Sequence, residues 1–173
     1  MAYELIETLE VTNASGVASI QFSTIPQTGA ELLLVCSPRS NNSGNATSLG
    51  IRFNGDSGAN YDRRNLRGEP SGTITQTSFG SNNLSISSPV VSASATANTF
   101  GNIEIRIANY TSNSDKAISV DSVGANDSTA NFASFQTITS GIYSNTTPIT
   151  SVEFSVSTDN FLQYTTASLY IIS

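Results

Sequence analysis

Short apolar runs that alternate with polar residues recur along this chain of 173 residues. In the segment IEIRI (103–107) the three isoleucines fall on one side of an extended chain, and Glu104 and Arg106 fall on the other. The same period of two recurs in three further segments, 18–22, 49–53 and 152–156. Such alternation is typical of strands with one buried face, so the pattern predicts β-strands, and helical periodicity is hard to find.

Clusters of glycine, asparagine, aspartate and proline separate these runs and predict turns. Six more strands are predicted near 4–12, 31–37, 83–87, 116–123, 132–140 and 163–171. About ten closely spaced strands predict an all-β fold, an antiparallel two-sheet β-sandwich that is jelly-roll-like. With neither a fixed repeat nor a change of composition, residues 1–173 are predicted to form a single domain.

Residues 54–82 form the longest stretch without clear alternation, which predicts a long loop. A loop of that length is usually functional or ordered by a partner. It includes most of the segment IRFNGDSGANYDRRNLRG (51–68), in which arginines are unusually dense for this chain. The functional question raised by the sequence therefore centres on this segment.

Composition narrows the possible partners. The net charge is −6 with a single lysine, which argues against nucleic acid and against an anionic membrane surface. No apolar run is long enough to cross a bilayer. The opening MAYELIETLEV has three glutamates and no basic residue, so we expect no secretory signal and synthesis in a cytosol. Cys36 in LLLVCS is predicted to be a buried core thiol without a disulfide partner.

Few residues of this chain could act in catalysis. The absence of histidine removes the Ser-His-Asp and Cys-His mechanisms and histidine ligands to zinc. Serine–lysine chemistry would depend on Lys116 at a predicted strand entry, which is disfavoured. Paired carboxylates remain as a glycosidase option, but Glu104 and Glu153 occupy polar faces of strands, where solvated charges normally lie. The sequence therefore predicts a protein without enzyme activity and without a cofactor.

A metal or phosphate site in the unusual segment is also disfavoured. Asp56, Asn60 and Asp62 carry oxygen ligands suited to calcium, but their spacing does not match an EF-hand. Short Asp/Asn/Gly clusters are more often turns capped by their own side chains. A phosphate cradle would need a lysine and a following helix, and the segment shows neither. We predict no metal site here.

Two interpretations of the arginines remain. They can pair with Asp56, Asp62 and Glu69 on a solvated loop, where each exposed pair contributes only about 0–1 kcal/mol. Alternatively they can form a docking surface, because arginine and tyrosine are enriched among interface anchors. We favour docking, since the predicted loop is long and the rest of the surface has little charge. The candidate interface residues are Tyr61, Arg63, Arg64 and Arg67.

Several stretches together resemble a known group of proteins. They are MAYELIETLEV, ASIQFSTIPQTGAELLLV, IRFNGDSGANYDRRNLRG, ASATANTFGNIEIRIANYTS, KAISVDSVGAND and TTASLYII. These stretches resemble small virion structural proteins of tailed bacteriophages, particularly marine and cyanobacterial phages, found among head-decoration, fibre and knob components. The likeness covers nearly the whole chain and rests on patterns of strand and turn.

The resemblance implies a jelly-roll-like domain that forms a homotrimer on the major capsid protein or another virion protein. It carries over no catalytic residue. The segments Phe53–Asp56, Asn60–Tyr61 and Ala97–Ser112, with Arg64, would be structural turns and subunit contacts. The expected role is a capsid decoration or cement protein, located in the virion after synthesis in the host bacterial cytoplasm. The alternative is a tail-fibre or knob module that binds host glycan through loops 41–46 and 126–131.

Overall fold

The regular secondary structure of the described residues is all β. The computed structural model describes residues 2–44, 46–69, 72–125 and 134–173. Within these ranges there are twelve strands and no helix. The strands are β1 (Tyr3–Glu10), β2 (Ser19–Phe22), β3 (Glu31–Ser37), β4 (Ala46–Phe53), β5 (Tyr61–Glu69), β6 (Gly72–Ser81), β7 (Leu84–Val91), β8 (Asn102–Ala108), β9 (Lys116–Ala125), β10 (Ser134–Tyr143), β11 (Val152–Ser155) and β12 (Thr166–Ile172). No helix that could cross a membrane occurs among the described residues.

The strands form two antiparallel sheets. The larger sheet has the order β1-β12-β3-β8-β9-β10-β5-β6, and the smaller one has the order β2-β11-β4-β7. β1, β12, β3 and β8 form one half of the large sheet. In this half, consecutive strands of the chain alternate between the two sheets, as from β1 to β2, β3 and β4. This crossing pattern confirms the predicted jelly-roll-like sandwich. We call β1, β12, β3 and β8, together with the four strands of the small sheet, the core sandwich. The remaining four strands of the large sheet, β9, β10, β5 and β6, are called the extension.

The core sandwich is filled by apolar side chains from both sheets. Ile103, Ile105 and Ile107 on β8 are fully buried, as the alternation in IEIRI predicts. They join one core cluster with Ile51 on β4 and Phe154 on β11 of the small sheet. The apolar alternation of the sequence therefore maps directly onto the layer between the two sheets.

Cys36 lies in this layer, as predicted, on β3. Its side chain is buried, and it is a free thiol. Burial raises the pKa of the Cys36 thiol to about 12, because an apolar surrounding disfavours the charged thiolate. The thiol therefore serves as a small apolar group in the core.

The ten predicted strands are confirmed where the structure describes them (residues 132 and 133 of the strand predicted at 132–140 lie outside the described residues), but the predicted loop at 54–82 is wrong. Most of that segment forms the two long strands β5 and β6, which add the outer half of the extension to the large sheet. Alternation failed to reveal them because the inward-facing positions of β5 include the polar residues Arg63, Asn65 and Arg67. Apolar alternation marks a strand only where an apolar layer covers it.

Buried hydrogen bonds interrupt the apolar layer where β7 covers the extension. Thr137 Oγ1 on β10 donates to the Ser87 carbonyl of β7 at 2.9 Å. Asn65 Nδ2 on β5 donates to the Ser85 carbonyl at 3.4 Å. Gly141 on β10 permits this close approach, because a Cβ there would lie 2.6 Å from Leu84 Cδ1. These polar contacts and the glycine contact add to an apolar one, because side chains of the extension belong to the same core cluster as Leu84 and Ile86 of β7. These side chains are Ile118, Val120, Tyr61 and Tyr143.

Candidate docking surface

The turn that leads into β5 is stabilised by the Asp56 carboxylate. Gly58 N–H donates to Oδ1 at 2.7 Å, while Asn60 Nδ2 and Tyr143 Oη donate to Oδ2 at 2.8 Å and 3.0 Å. Asn145 Nδ2 adds a fourth donor at 3.2 Å. These bonds, led by the one from Gly58, hold the pKa of Asp56 below its usual range.

The same contacts explain the apparent calcium pattern. Asp56 and Asn60 bond to each other, and Asp62 Oδ1 accepts the Gly80 N–H at 2.7 Å. Such contacts correspond to the alternative in which the acids cap a turn. Among the described residues, no three acidic or cysteine side chains are grouped as a metal site.

Tyr61 does not lie on the surface, so its predicted role as an exposed contact is wrong. Its side chain is 0% exposed and stacks on Tyr143, with ring centroids 4.9 Å apart. Its hydroxyl accepts the Phe53 N–H at 3.0 Å and donates to the Asp56 carbonyl at 3.1 Å. Burial raises the pKa of Tyr61 to about 12. Tyr61 thus fixes the turn from within the core.

The three neighbouring arginines are divided between the two faces of β5. Arg67 points inward, where its Nη1 donates to Ser87 Oγ at 3.1 Å and Ser88 Oγ at 2.9 Å. Its guanidinium carbon also lies 5.4 Å from the centre of the Phe135 ring. Arg67 therefore helps to join the extension to β7 and does not form part of an exposed arginine cluster.

Arg63 points to the same face of β5 but is closer to the end of the strand. It is half-buried, and burial lowers the pKa of its guanidinium. Its Nε and Nη1 are buried and have no hydrogen-bond acceptor among the described residues. A buried donor without a partner costs about 1–3 kcal/mol, which makes this guanidinium a candidate for an acceptor from outside the chain.

Arg64 is the exposed arginine of the three and faces outward. It lies opposite Ser140 on β10 and Thr77 on β6. Together with Asp62 and Phe79 these residues line a groove of about 370 Å³ on the outer face of the extension. Arg64 therefore retains the role of a candidate contact residue, now on the face of a sheet.

Sequence reasoning missed the exposed apolar side chains that surround this groove. Phe79 is 75% exposed and Ile138 is 55% exposed, and Leu66 and Ile142 are each about half exposed. Leu66 and Ile138 lie directly opposite each other on adjacent strands. The available signal was the run TITQTSF, rich in β-favouring residues, which marks β6 as a strand despite its weak alternation.

The outer face of the core sandwich is different in character. There Arg106 on β8 bonds to Glu104 at 2.8 Å and lies 3.8 Å from Glu31 on β3. These opposite charges form ion pairs at a solvated surface. That face also exposes Leu5 and Val35. The apolar groove of the extension has no comparable ion pair among the described residues and is lined by Phe79, the most exposed of the large apolar side chains, so we take it as the candidate docking surface.

Two further cations lie inside the protein, which the sequence did not predict. Arg39 donates to the carbonyls of Thr96 and Thr99 at 2.8 Å and 2.7 Å. Lys116 is fully buried, and its Nζ donates to the carbonyls of Ser114, Asn145 and Thr147. Burial lowers the pKa of Lys116. Among the described residues its hydrogen-bond partners are backbone carbonyls and not a serine hydroxyl, which counts against serine–lysine chemistry. Exposed positive charge is therefore scarce elsewhere on this acidic chain.

The carboxylates considered for a glycosidase lie on opposite sides of the molecule. Glu104 projects from the outer face of the large sheet, and Glu153 projects from the outer face of the small sheet. The buried apolar layer separates them, so they do not face each other across a cleft. Glu153 instead lines a groove of about 590 Å³ with Arg52, Asn83 and several serines.

The glycan loops predicted for the alternative role are only partly described. Residues 126–131 lie outside the described residues, as does residue 45 in the loop 41–46. Within the described part of that loop, Asn42 Nδ2 donates to Asp159 Oδ2 at 2.8 Å, and Asn42 Oδ1 accepts the Gly44 N–H. The Asn42 amide is therefore engaged within the protein.

No protein-family model matches this sequence, and no curated protein matches it at a significant level. The likeness to phage virion proteins thus stays a prediction. The fold and the two faces of the extension are the observations on which a functional proposal can rest.

Proposed function

We propose that this chain is a non-enzymatic structural protein of a tailed-bacteriophage virion. It decorates the outer surface of the capsid, bound to the major capsid protein or another virion protein, and stabilises the head as a homotrimeric cement protein. The supporting sequence evidence is the resemblance that spans nearly the whole chain. The role is one of assembly, so its chemistry consists of contact surfaces and not of bond making.

One structural observation carries this proposal. The outer face of the extension exposes Phe79, Leu66, Ile138 and Ile142 around a groove that also contains Arg64. Contiguous exposed apolar groups bordered by polar residues are typical of protein-contact sites. Aromatic and arginine side chains are also the residues most enriched in such contacts. The extension therefore supplies a surface suited to attachment.

The test measures how many copies of the chain remain on purified virions of the phage that encodes it. We expect the triple variant Arg64→Ala, Phe79→Ser, Ile142→Ser to fold normally, because all three side chains are exposed, and to lose most of its particle occupancy. The matched control is Arg52→Ala on the outer face of the small sheet, which should leave occupancy unchanged. Full occupancy of the triple variant would contradict the proposed surface.

A second candidate role is supported by the groove of about 590 Å³ on the small sheet. Its lining is dominated by hydroxyl and amide groups, with Arg52 and Glu153 among them. Groups of this kind can form directional hydrogen bonds with a sugar, which would suit a fibre or knob module that binds host glycan. Binding of the purified chain on a glycan array, lost in Arg52→Ala, would favour this role.

A further inference from the structure

The large sheet ends in two edge strands that differ in their protection. Among the described residues β1 pairs only with β12, and β6 pairs only with β5. Each edge therefore presents a row of backbone N–H and C=O groups that can pair with another strand. Natural edges are usually protected by charges, prolines or bulges, so the sequence of each edge indicates what it can accept.

β1 carries strong protection against a copy of itself. Its eight residues include Glu4, Glu7 and Glu10, and its pairing with β12 has a register shift between Leu5 and Glu7. Two β1 strands side by side would bring six carboxylates close together, because facing side chains of neighbouring strands lie about 5 Å apart. β1 can therefore pair only with an edge that is neutral or basic.

β6 is less protected: its pairing with β5 has one register shift, opposite Ser78–Ser81 near the end of the strand, and the rest of the edge is regular. The ten residues of β6, GTITQTSFGS, contain no charge and no proline, and they are rich in threonine and other β-favouring residues. The adjacent strand β5 supplies the exposed Arg64 and the incompletely bonded Arg63. The edge at β6 is thus long, open and bordered by positive charge.

The directions of the strands allow the two edges to meet. All seven neighbouring pairs in the large sheet are antiparallel, so β1 and β6 run in opposite directions. If a second copy continues the sheet in the same orientation, its β1 lies antiparallel to β6. The inner faces of the two sheets then lie on the same side.

We propose that β6 of one copy pairs with β1 of a second copy, head to tail, to form one continuous sheet. Glu7 lies on the inner face, opposite the buried Leu169, and Arg63 is also on the inner face. Glu10 lies on the outer face, as does Arg64. A β1 strand added to β6 lies about 10 Å from β5, which an extended arginine can span. A carboxylate accepts strong, charge-assisted hydrogen bonds from a guanidinium.

This inference rests on the self-association included in the proposed function, and it specifies the contact. The surfaces on the two copies differ, so the contact is heterologous and closes into a ring or extends into a filament. Of the residues that line the outer groove, this contact engages Arg64, while Phe79 and Ile142 stay exposed. The apolar part of the groove therefore stays available for attachment to another virion protein.

The experiment exchanges the charges at the two edges. The first variant, Thr75→Glu/Gln76→Glu, places acids on both faces of β6, and both side chains are exposed. The second, Glu7→Lys/Glu10→Lys, makes β1 basic. We expect the purified wild type to have a mass above that of one chain by light scattering, and each variant to fall to the monomer mass. A chain carrying all four substitutions should regain the wild-type mass, because the attraction is restored with opposite sign.

The outcomes separate this inference from the proposed function. A wild type that stays monomeric at all concentrations would overturn both the self-association and the edge pairing. A wild-type oligomer in which the basic β1 variant still assembles, or which the four substitutions fail to restore, would overturn the edge pairing alone. The neutral variants Thr75→Gln and Glu7→Gln/Glu10→Gln control for the change of side chain without a new charge. Thermal melts show whether each variant is folded.

Discussion

The core sandwich and the extension belong to one sheet, yet their inner faces differ. On β8 the inward residues Ile103, Ile105 and Ile107 are apolar and fully buried. On β5 and β10 the corresponding positions include Asn65 and Thr139, which are equally buried but hydrogen-bonded, with Thr139 Oγ1 2.6 Å from Asn65 Oδ1. The comparison shows that backbone pairing defines the sheet, while the covering layer determines whether its side chains are apolar.

The largest expected effect compares the same substitution in the two regions. Ile105→Ala removes a fully buried side chain from the core sandwich, and we expect the free energy of unfolding to fall by about 2–5 kcal/mol. Ile138→Ala on the outer face of the extension should change it by less than about 0.5 kcal/mol. Urea denaturation measures both values. Equal losses of unfolding free energy in the two variants would mean that Ile138 is buried by other parts of the same chain.

A smaller effect is expected for the buried polar pair. Asn65→Ala removes the acceptor of the Thr139 hydroxyl, and we expect a loss of about 1–3 kcal/mol, the cost of leaving a buried donor unpaired. The double variant Asn65→Leu/Thr139→Val removes both polar groups and should cost less than the sum of the single changes. Strict additivity in this double-mutant cycle would show that the two side chains do not interact.

The turn between the two regions should make stability depend on pH. Hydrogen bonds hold the pKa of Asp56 below the ordinary value of about 3.9, so the folded state favours the carboxylate. This contribution is present above about pH 4 and is lost as the pH falls through the lower folded pKa. The difference in unfolding free energy between wild type and Asp56→Asn should therefore narrow in acid. A difference that stays constant from pH 6 to pH 2 would contradict this role.

The smallest expected effect on stability is at Arg64. Its side chain is exposed, so Arg64→Ala should change the free energy of unfolding by less than about 0.5 kcal/mol. Arg39→Met provides the contrast, because it removes the donors to the carbonyls of Thr96 and Thr99 and should cost about 1–3 kcal/mol. Thermal melts of the two variants measure this contrast. A large loss for Arg64→Ala would assign it a structural role.

The sequence predicted the core sandwich more completely than the extension. Strands such as β8 were recognisable because an apolar layer covers them, and Cys36 was correctly assigned to that layer. β5 and β6 were missed because their inward residues are largely polar. Those of β5 form hydrogen bonds to β7, and those of β6 lie beyond the edge of the small sheet, so hydrophobicity does not alternate with a period of two. Tyr61 was placed on the surface because its ring contacts with Tyr143 depend on a strand 82 positions away in sequence.

Hydrogen exchange tests most directly whether the edges of the extended sheet are contact surfaces between copies. Amide exchange would be measured on the wild-type protein, dilute and concentrated, with peptides covering β1, β6 and β11. On concentration, exchange should slow in Tyr3–Glu10 and Gly72–Ser81 and stay unchanged in the interior strand Val152–Ser155. An assembled protein in which the amides of both edge strands exchange as they do in the dilute chain would contradict the account.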